Sequence, residues 1–317
     1  MDDLVRSGLP LQQRRVLVTG ATGFTGRHLC RRLVELGMAT HGLSRSASEA
    51  TVPRGVIPVA ADVTQREVVA KALERVRPSH VLHLAAAGVN QPFLEETVQV
   101  NVGGTLNVLE ASQAVQVQRF VQVGTCYEYT VDPDQASTYA ASKLKSWRTW
   151  QAFVTSHSME TAALRLFHVY GPAQPATGLI ASAILAALRG ERFEMTPGEQ
   201  ERDYVYIEDV VEALVAAALT MSLNGAKTYD VGTGVGCSVR SVVRRIFEKV
   251  GGEGEVLVGA LPYRRSEIMR LVANPQPAAR DLAWEARTDL ETGLTLTIDW
   301  QRQQLLSQLT GMERDLA

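Results

Sequence analysis

Tyr139 and Lys143 stand four residues apart in the run Tyr-Ala-Ala-Ser-Lys, inside a stretch that reads as helix over 136–156. Four helical residues rise about 6 Å and return to the same face, which makes the phenol and the ammonium neighbours. An ammonium beside a phenol favours the phenolate and lowers its pKa from about 10. A tyrosine tuned in this way passes a proton to or from a carbonyl oxygen near neutral pH. Thr125 closes the strand before that helix, so its hydroxyl can point at the same oxygen.

A second constellation lies near the start of the chain. The run Thr19-Gly20-Ala21-Thr22-Gly23-Phe24-Thr25-Gly26 follows a short β-branched strand, Arg15–Thr19, and opens a helix over 25–36. Gly20 allows the tight turn, Gly23 lets backbone approach a pyrophosphate, and Gly26 lets the helix pack close to the sheet. The free N–H groups and partial positive charge of the helix N-terminus then suit phosphate. The end of the second strand reads Ser44-Arg45. An acidic residue there would bind the 2′-hydroxyl of NAD, whereas arginine suits the extra phosphate of NADP through its charge and planar donor fork. NADP(H) is therefore favoured over NAD(H). Asp62-Val63 follows the third strand; the Asp62 carboxylate could accept from an adenine amino group or cap a helix. Threonine, tyrosine and lysine around a nicotinamide form a hydride-transfer site.

These residues need a scaffold that alternates strand and helix. Further strands are predicted at 40–43, 56–60, 80–85, 119–124, 162–169, 204–207 and 227–231, and further helices at 65–76, 93–115, 178–189, 208–220 and 238–250. Short apolar strands alternating with helices imply a parallel sheet covered on both faces. Prolines at 172, 175 and 197, and later at 262, 275 and 277, break the alternation after about residue 170. The expected division is a dinucleotide-binding domain of 13–170 plus about 204–235, and a smaller substrate domain of about 171–203 plus 236–317.

Composition narrows the partners. The 317 residues carry 32 basic and 34 acidic side chains, a formal charge of −2. That balance has no basic excess to neutralise a nucleic-acid backbone, so nucleic acid is not an expected partner. No apolar run reaches the roughly 20 residues that span a bilayer, so no membrane partner is expected either. Cys30, Cys126 and Cys237 are too few and too scattered for a disulfide framework or a zinc site, and no metal is expected. The first residues lack the apolar stretch of a secretion signal, and a reducing cytoplasm is the expected location.

Taken in order, the motifs resemble those of the extended short-chain dehydrogenases/reductases that act on nucleotide sugars as epimerases, dehydratases and reductases. The matching pieces over roughly 14–300 are TGATGFTG (19–26), Asp62-Val63, HLAA (83–86), NVGGTLNVLEA (101–111), TCYEY (125–129) and YAASK (139–143), then RLFHVYGP (165–172), RDYVYIEDV (202–210) and LAWEARTDLETGL (282–294). The resemblance implies a Rossmann-type doubly wound parallel sheet with a smaller C-terminal α/β substrate domain. It implies a catalytic set in which Tyr139 is the acid/base, Thr125 binds the substrate oxygen, and Lys143 holds the nicotinamide ribose and tunes Tyr139. Leu84, Ala85 and Ala86 would line the pyrophosphate and ribose, Asn101 would support the central helix through a polar contact, and Phe167 and Val169 would complete the cofactor site. Ala87, Cys126, Tyr127, His168 and Leu179 would meet the substrate. Arg202 and Arg264 would grip its pyrophosphate and Glu267 its ribose, while Arg265 reads as solvated surface charge.

Departures from the family narrow the reaction. Dehydratases carry Thr-Asp-Glu where this chain has Thr125-Cys126-Tyr127, so dehydration is disfavoured. Combined 3,5-epimerase/4-reductases place a cysteine two residues after the catalytic hydroxyl, where this chain has Tyr127; Cys126, one position off, would point to the other face of the strand. The Glu128-Tyr129 pair and the TPGEQERDY run (196–204) resemble bacterial reductases of nucleotide-linked 4-keto-6-deoxyhexoses. The expected reaction is that NADPH-dependent 4-ketoreduction, with the proton from Tyr139. An NAD-dependent 4-epimerase is the alternative, and a non-catalytic dinucleotide sensor or scaffold lies outside it. Nine residues separate Tyr129 from Tyr139, a short rim for this family. Val98, Val102, Leu106 and Leu109 fall at helical spacing, in a region where many relatives form a homodimer face.

Overall fold

The computed structural model describes residues 11–88, 94–129, 137–220, 226–265 and 267–315. Residues 1–10, and residues 130–136 of the short rim, lie outside the described residues. The chain divides into two compact units: residues 1–166, 210–231 and 275–285 form the first, and 167–209, 232–274 and 286–317 the second. Relative to the expected division, 167–170, 204–209 and about 232–235 fall in the second unit and 275–285 in the first.

The first unit is built on a parallel sheet of seven strands: β1 (Arg15–Thr19), β2 (Ala39–Ser44), β3 (Ile57–Ala60), β4 (His80–His83), β5 (Arg119–Thr125), β6 (Glu160–Leu166) and β10 (Lys227–Val231). Their order is β10-β6-β5-β4-β1-β2-β3. The central strands β4 and β5 are buried at every residue, as strands covered on both faces must be. Helices α1 (Phe24–Glu35), α2 (Arg66–Val76), α3 (Leu94–Val98), α4 (Gly104–Ala114) and α5 (Thr138–Ser156) follow their strands. The core joins Leu17, Val81 and Phe120 of the sheet to Val69 and Leu73 of α2, Val108 and Leu109 of α4, and Trp150 of α5. Trp150 is buried because its Nε1–H finds a partner, Thr161 Oγ1 at 2.8 Å. The sheet order reverses beside β1, and there the crevice at the strands' carboxyl ends opens to ligand.

The second unit contains α6 (Leu179–Leu188), α8 (Val239–Val250) and the later helix α10 (Leu290–Asp315), with α7 (Ile207–Leu219) starting here and running into the first unit; α9 (Gln276–Leu282) belongs to the first unit. Its strands are β7 (His168–Tyr170), β8 (Arg192–Met195), β9 (Glu201–Tyr206), β11 (Gly236–Ser238), β12 (Glu255–Val258) and β13 (Arg270–Leu271). β9 is flanked by β11 and β13 and also pairs β7, while β12 pairs β8.

Three predicted elements differ from the structure. The strand expected at 162–169 is two, because at Phe167 the Val169 N–H turns back to the Phe167 carbonyl at 2.9 Å and β7 joins another sheet. The helix expected at 93–115 is interrupted by a π-helical turn, Gln99–Gly103, that carries Asn101. The strand expected at 119–124 ends at Thr125, and Cys126 opens a short 3-10 turn, Cys126–Tyr129, so the predicted placement of Cys126 on the opposite face of the strand does not apply.

Candidate active site

The glycine loop is shaped by close approaches. Gly20 has a φ of +71°, and a Cβ there would meet the backbone of Leu84 and Ala85 at about 2.9 Å. A Cβ at Gly26 would collide with the Gly20 carbonyl, so α1 packs directly against the loop. Gly23 caps α1 without a side-chain bond to the first turn, which leaves the helix N-terminus open to an anion. Phe24 and Thr25 lie in that first turn, with the Phe24 ring edge-on to His28 at 5.6 Å.

A cleft of about 490 Å³ opens at the loop. Gly20, Thr22, Gly23, Ser44, Arg45, Asp62, Val63 and Leu84–Ala87 line it. The buried Ser44 hydroxyl, at the end of β2, has no partner among the described residues. A glycine cradle, an open helix N-terminus and an orphaned hydroxyl together fit a dinucleotide. Asp62 Oδ1 accepts from the Thr64 N–H and hydroxyl at 2.9 and 2.8 Å, and α2 starts only at Arg66, so Asp62 closes a local turn and is not the cap of that helix.

The floor of the cleft is held by groups the motifs alone do not reveal. Thr19 Oγ1 accepts from the Leu84 and Ala85 N–H groups, each at 3.1 Å, and meets His83 Nδ1 at 2.8 Å. The other ring nitrogen of His83 meets Thr105 Oγ1 at 3.1 Å. Burial holds this imidazole at a pKa of about 3, with the Lys143 charge adding to the effect, so the ring is neutral. Asn101 accepts from the Ala87 N–H at 2.7 Å and donates to Ser142 Oγ at 2.8 Å, tying the lip of the cleft to α5. A hydrophilic residue at each such position inside an apolar helix or strand was the available signal.

The Thr–Tyr–Lys set is assembled where β5 ends. Thr125 and Tyr139 share a side-chain hydrogen bond. Ser137 caps α5 by accepting from the Ala140 N–H at 3.2 Å, which fixes the helix start beside Tyr139. The Lys143 ammonium is buried and donates to the Val123 carbonyl at 2.7 Å. The expected lowering of the Tyr139 pKa is not what this arrangement produces. Burial first, then the fields of Cys126 and Glu128, push the phenol up, and only the bond from Thr125 opposes them. The spacing on α5 is as anticipated, but the ammonium is engaged by β5 and faces the Glu128 carboxylate. Cys126 is buried at the start of the 3-10 turn, and the Tyr127 N–H lies 3.5 Å from Thr125 Oγ1.

The remaining expected residues belong to the second unit. Phe167 is buried and His168 and Val169 sit on β7, with the His168 ring 5.8 Å from that of Tyr204. Leu179 starts α6. Arg202 is buried and paired with Glu267 at 2.5 Å, so the two residues assigned to different parts of a ligand engage each other. Arg264 is exposed, and its carbonyl accepts from the Glu267 N–H at 3.0 Å.

A parallel sheet that reverses order beside a glycine loop, with a hydroxyl-bearing set at the next strand end, defines a Rossmann-like dinucleotide enzyme. The profile of the NAD dependent epimerase/dehydratase family matches residues 16–232. The chain belongs to this family, a branch of the extended short-chain dehydrogenases/reductases, and is an NAD(P)-dependent enzyme of oxidoreductase type. It is 27% identical to the CDP-abequose synthase of Salmonella muenchen, over 89% of this chain and 96% of that protein. The solved UDP-glucose 4-epimerase of Thermotoga maritima, with UDP-glucose, is 28% identical with a TM-score of 0.83, covering 92% of this chain and 99% of that one. The UDP-glucose 4-epimerase of Thermus thermophilus, in complex with NAD, is 30% identical with a TM-score of 0.80, covering 91% and 99%. Among the described residues no helix is long and apolar enough to cross a membrane.

Proposed function

We propose that this enzyme reduces the 4-keto group of a nucleotide-linked 4-keto-6-deoxyhexose, using NADPH. The observation that carries the reading is the placement of Thr125 at the end of β5 and of Tyr139 in the first turn of α5, where the Thr125 side chain bears on the phenol. Two hydroxyls converging there can bind one carbonyl oxygen, Thr125 by donating a hydrogen bond and Tyr139 by delivering the proton. The bound dinucleotide supplies the hydride. Gly20, Thr22 and Gly23 hold its phosphates, Ser44 and Arg45 its adenosine ribose, and Leu84–Ala86 its inner edge. Lys143 orients the nicotinamide ribose.

Arg45 favours the reductase over the epimerase. It lines the cleft at the end of β2 with no carboxylate in the Ser44-Arg45 pair, which suits the 2′-phosphate of a releasable NADP(H). Within the second unit, His168 and Leu179 are assigned to the sugar nucleotide, and Arg202 with Arg264 to its pyrophosphate. Glu267, already bonded to Arg202, keeps that guanidinium oriented. A homodimer is part of the proposal, since Leu106 of α4 is exposed while Leu109 is buried; a monomeric mass in sedimentation would remove it. The second reading is an NAD-dependent 4-epimerase, favoured by the solved relatives that carry NAD and UDP-glucose. Absorbance of NADPH, followed with a panel of nucleotide-linked 4-keto-6-deoxyhexoses, tests the proposal. Stoichiometric oxidation is the expected result, and interconversion of 4-hydroxyl sugars without oxidation would replace it by the epimerase.

A further inference from the structure

Glu128 is a charged residue sealed inside the first unit, with its side chain 1% exposed. Both carboxylate oxygens are used. Oε1 accepts from the Thr125 N–H at 3.1 Å, and Oε2 accepts from Arg165 Nε at 2.9 Å. Gly124 makes the room, because any side chain there would run into this carboxylate. One peptide earlier, the Val123 carbonyl accepts from Lys143 Nζ at 2.7 Å. The last three residues of β5 are thus gripped by an ammonium at Val123 and a carboxylate at Thr125, across a glycine. Arg165, which locks the carboxylate, is itself held between the rings of Tyr129 and Trp147, at 4.6 and 4.9 Å. The Tyr129 hydroxyl donates to Asp230 at 2.9 Å.

We propose that Glu128 is a positioning residue of the active site: ionised and anchored by Arg165, it is the counter-ion of Lys143 and fixes the strand end that presents Thr125. The inference rests on the reading of Thr125, Tyr139 and Lys143 as the reacting set. A buried ammonium without a counter-charge loses its proton or its place. Burial lowers the Lys143 pKa and Glu128 alone is seen to raise it; burial raises that of Glu128, while Lys143 and Arg165 lower it. The charged and titratable groups that bear on this cluster are Cys126, Tyr127 and Tyr129 of the turn after β5, Tyr139 and Lys143 of α5, His83 of β4, Arg165 of β6 and Asp230 of β10. Of these, Arg165, Lys143 and the Thr125 N–H oppose protonation of the carboxylate. Lys143 and Glu128 thus act on each other through their charges, with Glu128 anchored by Arg165 and Lys143 by the Val123 carbonyl.

The test is the titration of Lys143 itself, which needs no substrate. The chain has five lysines, so carbon-13 labelling of the lysine ε-position gives few signals, and Lys143→Met identifies the one required. In Glu128→Gln the Lys143 signal should lose its proton at lower pH than in the wild type, and Glu128→Asp should restore the charged form. Turnover of Glu128→Gln should fall about 10²-fold, the cost of a misplaced reacting group, with little change in KM. A folded Glu128→Gln protein with an unmoved Lys143 titration overturns the proposal. Should that variant not fold, the wild-type Thr125 amide proton answers instead. Bonded to an ionised carboxylate, it should shift as Glu128 takes up a proton in acid, and an unresponsive amide overturns the proposal equally. Failure of the enzyme reading is separate: it shows as undiminished turnover in Tyr139→Phe, whatever Lys143 does.

Discussion

Arg45 is exposed at the edge of the dinucleotide cleft, and its proposed task is charge recognition of one phosphate. Replacing it by alanine should weaken NADPH binding by roughly tenfold, the worth of about 1.4 kcal/mol in a charge-assisted contact, and leave NADH binding nearly unchanged. Dissociation constants for both coenzymes check this, and equal losses for the two would remove the NADP preference. At this scale the reacting set was legible because each member has a specific side-chain type at a specific spacing: Tyr139 and Lys143 through the helical repeat, Thr125 through its place at a strand end. What these residues do to one another was not legible. The sequence pairs Lys143 with Tyr139, but folding brings Val123 and Glu128 to the ammonium, and no local spacing announces either. Asp62 is similar: its carboxylate is spent on Thr64, two residues away.

Asn101 shows how an element delivers residues to a site. It sits in a π-helical turn between α3 and α4, a local widening often found at functional positions. Its amide joins the Ala87 N–H to the Ser142 hydroxyl, and Ser142 in turn donates to the Tyr139 carbonyl at 2.7 Å. Asn101→Ala leaves the buried Ala87 N–H without its acceptor, a cost of about 1–3 kcal/mol, while the Ser142 hydroxyl keeps its bond to the Tyr139 carbonyl. A lower thermal midpoint and weaker coenzyme binding are expected together. An unchanged melt would show that water replaces the amide. The apolar repeat identified α4 but could not reveal the π-turn, since one extra residue per turn leaves no compositional mark. Beyond residue 190, β9, α7, β10 and α8 were anticipated, but β8, β12 and α10 were missed for another reason. β8 and β12 are half-exposed and carry charge, so they lack an apolar run, and α10 contains Thr and Ile residues that favour strands.

Across the whole molecule, three histidines with desolvated rings couple folding to pH: His80 and His83 are buried and His168 is half-buried. Burial holds His80 at about 4, aided by Arg14 and Arg119, and His83 and His168 at about 3, aided by Lys143 and Arg202 respectively. The unfolded chain protonates the same rings near pH 6.5 (roughly the free-histidine value), so it binds more protons than the native state below that pH. Stability contributed by these rings is therefore full above about pH 6.5 and is lost as pH falls towards 4 and then 3. Urea midpoints measured from neutral pH into acid should decline through this window, and a flat profile would contradict the neutral, desolvated assignment. The parallel sheet with its reversal at β1 was readable because its strands are continuous apolar runs between glycine turns and helices. Where the chain leaves one unit for the other was less so, because that choice is made at single residues such as Phe167.

The central claim is that a hydride moves irreversibly from the coenzyme to C4 of the sugar while Tyr139 supplies the proton. A single-turnover reaction with NADPH carrying deuterium on the nicotinamide, and a nucleotide-linked 4-keto-6-deoxyhexose as partner, tests this most directly. One deuterium should appear at C4 of the product for each NADP⁺ formed, and Tyr139→Phe should lose that transfer. Unoxidised coenzyme, with nucleotide sugars exchanging configuration at C4 instead, would contradict it.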